Sequence, residues 1–331
     1  MARRDIEKEL AALKRLEGAE RQEQLQALRK ALRDQVNLMV ARAAALTGTW
    51  QLRELIPDLC AAFERMLDKP IERDPQCWAK NAIAKALADL GHEESAQFLR
   101  GLRHVQKEPT WERTQDTAFT LRGICALALP TVRDLTRRDV LQQLCYALTD
   151  SYDEEERERA EAAPVRRDAV RALESMGGEE PGLLLRVKAR AGDPDSGVTG
   201  QIFDALLRLE GEAAIPFVEE FLQLPDELVR EEAVLALGGS RLAKALAVLE
   251  SFWPQAEEWN LRDTILRAMS ISGQENAFEF LLKVIRTGTE REAKCAISAF
   301  ELHTVSERVR VRIAEAVTAR GQDQGLEGLL G

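Results

Sequence analysis

The chain has 331 residues, 45% hydrophobic and 31% charged, which is too apolar for a disordered polymer and sufficient for a core. A net charge of -10 and a pI near 5.2 surround it with a negative field that opposes a polyphosphate, so nucleic acid is disfavoured as a partner. Met1-Ala2-Arg3-Arg4-Asp5 runs straight into a charged amphipathic segment and no apolar run approaches a bilayer span, so a cytoplasmic protein with no membrane partner is expected.

In chain order, residues 3–17 carry Ile6, Leu10, Leu13 and Leu16 at helical spacing, and Gly18 interrupts them. Residues 1–20 are therefore read as an N-terminal capping helix, which stacked repeats need at their ends. The following stripe, Leu25, Leu28, Leu32, Val36 and Met39, holds no clean heptad, which argues against a dimerising coiled coil and leaves the oligomeric state open. From Trp50 two helix types alternate. The first type is expected at about 54–67, 93–105, 137–148, 181–189, 213–222, 241–252, 277–286 and 308–319.

The second type carries a small residue followed by a large apolar one: Ala45-Leu46, Ala86-Leu87, Ala126-Leu127, Ala172-Leu173, Ala205-Leu206, Ala236-Leu237, Ala268-Met269 and Ala299-Phe300. These eight anchors lie 41, 40, 46, 33, 31, 32 and 31 residues apart, and such a period means stacked repeats. Counted from the anchor, offsets minus seven, minus three, zero and plus one share one helical stripe and are expected in the core. The anchor is small because stacked helices approach to about 8–10 Å. Residues 21–331 are read as one continuous domain of such repeats.

Leu224-Pro225-Asp226-Glu227-Leu228-Val229-Arg230 and Asp193-Pro194-Asp195-Ser196-Gly197-Val198, each leading to an anchor, resemble the HEAT-repeat α-solenoids, of the phycobilin-lyase-like, armadillo-like kind. The resemblance implies an all-α fold: a right-handed α-α superhelix of about eight helix pairs with no sheet, its anchor helices lining the concave side. It also implies a structural ladder of Arg and turn Asp, to which Arg166, Arg230 and Arg262 correspond, with Lys80 a weaker match and Thr120, Thr199 and Ala293 departing.

No catalytic constellation stands out, and no cofactor or metal is expected. Cys60, Cys77, Cys125, Cys145 and Cys295 are odd in number and contain no Cys-x-x-Cys, so they are read as reduced, mostly buried thiols. His92-Glu93 resembles the His-Glu pairs of the HEAT-repeat deoxyhypusine hydroxylases. A single pair cannot hold iron as several do, so His92 is expected as a solvated residue after Gly91. Trp259 and Asp263, four apart on one face, resemble the aromatic and Asp used by HEAT-like alkylpurine DNA glycosylases, although Glu257 and Glu258 beside them oppose DNA.

Two surfaces remain as candidates. The N-terminal intervals are longer because of three insertions, 68–76, 106–115 and 150–163, each between the two helices of a pair. Equivalent loops stack, so Trp78, Trp111 and Tyr152 are expected along one edge. On the concave face, Lys85, Arg122, Arg167 and Arg171 would form a basic end, offset by Asp168. Asp204, Glu231, Glu232 and Asp263 would form an acidic end, offset by Arg267. The expected function is a non-enzymatic scaffold or adaptor for another protein or peptide. The alternative is a HEAT-type enzyme, such as an alkylpurine DNA glycosylase or part of a cofactor-attachment lyase.

Overall fold

A computed structural model describes residues 5–109, 111, 114–150, 161–301 and 307–320. Helices make up nearly all of it, and they fall into two compact units, Met1–Gly177 and Gly178–Gly331.

In the first unit α1 (Ile6–Lys14) rests on α3 (Asn37–Thr49) and buries Leu13. The second-type helices α3, α6 (Trp78–Asp89), α8 (Phe119–Ala128) and α10 (Ala163–Met176) stack in order as one layer. Preceding them in sequence are α2 (Arg21–Leu32), α4 (Ile56–Leu67), α7 (Ala96–Leu102) and α9 (Arg137–Leu148), and α2, α4 and α7 stack in their turn. A short helix, α5 (Pro70–Arg73), lies between α4 and α6. The second unit repeats the plan. There α12 (Ser196–Glu210), α14 (Glu227–Gly239), α16 (Trp259–Ser272) and α18 (Glu290–Glu301) stack as one layer, each preceded in sequence by α11 (Glu179–Ala191), α13 (Ile215–Glu220), α15 (Ala243–Phe252) and α17 (Glu275–Thr287). The last helix among the described residues, α19 (Glu307–Ala319), packs on α17.

Capping chemistry sets the helix starts. Asp195 accepts from the Val198 N–H and Asp226 from the Val229 N–H, so the Asp-Pro-Asp and Pro-Asp turns are N-caps. Thr136 and Asp139 form a reciprocal capping box on α9, and Thr289 and Glu292 exchange the same bonds at α18.

The core columns hold in six helices, where Ile83, Ala86 and Leu87, Ala169, Ala172 and Leu173, and their counterparts at 202, 205, 206, 233, 236, 237, 265, 268, 269, 296, 299 and 300 are all buried. Two anchors need correction. Ala45 is exposed while Leu46 and Thr47 are buried, so α3 is in register one residue later. In α8, Leu127 is exposed and Ala128 and Leu129 are buried, so the anchor is Ala128 rather than Ala126. The sequence Ala126-Leu127-Ala128-Leu129 offers the motif twice, and only the second copy places Leu121, Cys125 and Ala128 on the core stripe. Close helix approach supports the first shift. Two residues past the corrected anchor, Gly48 lies where a Cβ would come within 3.2 Å of Ala86 Cα, and Gly238 in α14 holds the same place against Ala268.

With α8 re-registered, Arg122 occupies the ladder offset of Lys80, Arg166, Arg230 and Arg262. It is 2% exposed, so it belongs to the interior and not to a solvent-facing basic row. Its guanidinium spans Asp116 at 2.7 Å and Asp150 at 2.8 Å, and Arg166 donates to the Asp150 carbonyl at 3.2 Å. In the second unit Arg230 reaches Glu258 at 2.8 Å, and Arg262 joins the Ala256 carbonyl to the Glu292 carboxylate.

The expectation of no sheet is also corrected. The insertion after α7 folds as an antiparallel hairpin, β1 (Lys107–Pro109) with β2 (Thr114–Asp116), in the register Lys107 to Asp116, Glu108 to Gln115 and Pro109 to Thr114.

Candidate functional site

The site starts from a strained turn. Gln76 and Cys77 both adopt left-handed backbone, at φ 60° and 57°, where a side chain costs about 1 kcal/mol or more per residue. A buried network holds them there. Asp74 accepts from the backbone N–H groups of Ala79 and Lys80, both at 2.9 Å, and its carboxylate lies 3.1 Å from Lys80 Nζ with both side chains fully buried. Cys77 buries its thiol, whose pKa burial pushes up to about 11.

The hairpin docks onto this turn. Gln106 Nε2 donates to the Asp74 carbonyl at 2.9 Å, and the Gln106 N–H donates to Asp116 at 3.0 Å. Glu108, 8% exposed, accepts at Oε1 from the Gln76 N–H (2.6 Å), Gln106 Nε2 (2.6 Å) and Thr117 Oγ1 (2.7 Å). Burial alone would raise the Glu108 pKa. The donations from Thr117, Gln106 and Gln76, with the field of Lys80, outweigh that and bring it below the ordinary carboxylate value.

The first two insertions thus lie against each other along one edge, as equivalent loops do in stacked repeats. Between the hairpin and the first turn of α6 they enclose an open cleft of about 400 Å³ lined by residues including Trp78, Asn81, Glu108, Gln115 and Thr120. Trp78 is 46% exposed and Trp111, at the hairpin tip, is fully exposed. Tyr152 and the acidic run 153–159 lie outside the described residues. Trp78 and Trp111 were legible as candidates. Asn81, Gln106 and Glu108 were missed, because a three-residue strand ending in Pro109 gives almost no alternating pattern, and the polar string 106–108 was the one signal for it.

The other candidate surface is electrically quieter than its charges suggest. In the first unit Lys85 pairs with Asp89 (3.3 Å) and Arg171 with Asp168 (3.1 Å), while Arg167 is half-buried beside them. In the second unit Asp204 pairs with Arg208 (3.4 Å) and Asp263 with Arg267 (2.7 Å). Glu232 packs over Gly200, and Glu231 has its pKa raised by burial and by Glu227. These pairs run along single helices and neutralise Lys85, Arg171, Asp204 and Asp263 locally.

The residues that raised an enzymatic reading are engaged elsewhere. Arg291 stacks on the Trp259 ring, 3.8 Å from its centroid, and Asp263 pairs with Arg267 at 2.7 Å. His92 is buried and not solvated: the chain after Gly91 folds inward, placing Nε2 3.3 Å from Gln97 Oε1 and the ring 6.0 Å from Phe98. Among the described residues no group of three or more His, Cys, Asp or Glu is arranged to hold a metal ion.

A family model of HEAT repeats matches residues 156–238 and 217–301. Among solved structures, human deoxyhypusine hydroxylase in complex with glycerol is similar, at 21% identity over 82% of this chain and 92% of that chain, with a TM-score of 0.32. No curated protein matches the sequence.

Proposed function

With HEAT repeats across residues 156–301 and two stacked helix layers of the same plan before them, we propose that this protein is a non-enzymatic scaffold that holds another protein or peptide at the hairpin edge. The observation that carries this reading is the exposure of Trp78, which lines a cleft built from two insertions that the stacking of the repeats does not require, together with that of Trp111 at the tip of the hairpin. Aromatic side chains of this kind dominate interface energetics, and Trp111, fully exposed, contributes no buried area to the fold. Free cysteines throughout and no helix among the described residues long and apolar enough to cross a membrane are in keeping with a cytoplasmic setting.

The test is affinity capture from the source cell with the wild-type chain and with a Trp78→Ala, Trp111→Ala variant. We expect specific partners on the first and their loss on the second. Retention of the same partners by the variant would move the binding surface away from this edge. Nothing above a bead control on the wild type would overturn the scaffold reading itself.

A further inference from the structure

The cleft has a definite chemical character. Glu108 carries three donors on Oε1, and among the described residues none reaches Oε2. No Lys or Arg among the described residues lies within ion-pair distance of it. The nearby cations are already committed, Lys80 to Asp74 and Arg122 to Asp116 and Asp150. Asn81 Oδ1 also lacks a hydrogen-bond partner, but it is shielded from solvent, so a ligand in the cleft does not reach it and Glu108 Oε2 is left as the charged acceptor there. Trp78 lines the same cleft and offers a ring face.

A carboxylate oxygen without a donor, beside an indole, fits a planar cation. We propose that this cleft receives an arginine side chain from the partner segment, the guanidinium donating to Glu108 Oε2 and lying against Trp78. Guanidinium suits the site better than ammonium because its donors form a flat fork and its weak hydration lets it stack on an aromatic ring. The chain's net charge of -10 favours the approach of a basic segment. The inference rests on the scaffold reading and supplies the chemistry of its partner.

The experiment titrates Ac-Gly-Arg-Gly-NH2 into the full chain labelled with 15N at its Trp indoles, with the Trp78 signal assigned by Trp78→Phe. We expect a saturable shift of that signal in the millimolar range and none with the neutral citrulline isostere. Glu108→Gln should weaken binding about tenfold, the loss of one charge-assisted bond. Because Glu108 also holds the hairpin, Trp78→Leu serves as the second variant: followed by calorimetry, it should weaken binding several-fold through the lost stacking. An equal response to citrulline, a tighter response to the lysine peptide, or no saturable shift would each overturn the arginine assignment. If cellular partners are lost with Trp78→Ala, Trp111→Ala but retained by Glu108→Gln, the scaffold stands and this inference alone falls.

Discussion

At the scale of single residues, the first unit concentrates its polar chemistry around buried cations, Lys80, Arg122 and Arg166. Arg122 serves two carboxylates, and Arg122→Met would leave Asp116 and Asp150 without their cation, an arrangement that typically costs about 3–5 kcal/mol. We expect a urea midpoint lowered accordingly with helix content retained in mild conditions; a change below about 1 kcal/mol would mean that water replaces the guanidinium. His104 gives a pH signature. Burial is the main cause that pulls its pKa below the ordinary value, so below about 6.5 the unfolded chain takes up a proton that the folded chain does not. Stability should therefore fall as pH drops from 7 through that window, and the slope should disappear in His104→Gln. Glu108 acts lower on the scale: its depressed pKa contributes stability that is present above about 4.3 and is lost as pH falls through the folded-state value.

At the scale of elements, helix contacts are set by which residue is missing a side chain. A Cβ on Gly238 would meet Ala268 Cβ at 2.6 Å and its carbonyl oxygen at 2.7 Å, so α14 and α16 must separate to accept it. Gly238→Ala should destabilise by about 1–3 kcal/mol despite the better helix propensity of Ala. Gly48→Ala, facing Ala86 Cα at 3.2 Å, needs only a small shift and should cost less; the reverse order in thermal unfolding would refute this account of the stacking. Most helices were legible from the sequence because their caps and core stripes agree, as at Asp195 and Asp226. The register of α8 was not, since two Ala-Leu pairs compete there, and the basic residue six places before the anchor would have decided between them. Nor does sequence alone show that the turn after Gly91 carries His92 inward, a consequence of tertiary packing around Phe98.

At the scale of the whole molecule, the charge of -10 predicts how partners arrive. Association with a basic segment should slow as salt is raised toward and beyond physiological ionic strength, where the screening length is about 8 Å, while dissociation should change much less. Stopped-flow measurements at several salt concentrations would read this directly, and a salt-independent on-rate would mean that the field plays no part. The hairpin adds something of a different kind. Its two ends are cross-strand neighbours, Lys107 opposite Asp116, so the chain leaves and re-enters the repeat stack at nearly one point. Whatever lies between Pro109 and Thr114 can change in length or composition without altering the spacing of α7 and α8, provided Gln106, Glu108 and Asp116 remain. A lineage of such proteins could exchange this cassette while inheriting the same frame, and so acquire new partners without having to solve the folding problem again.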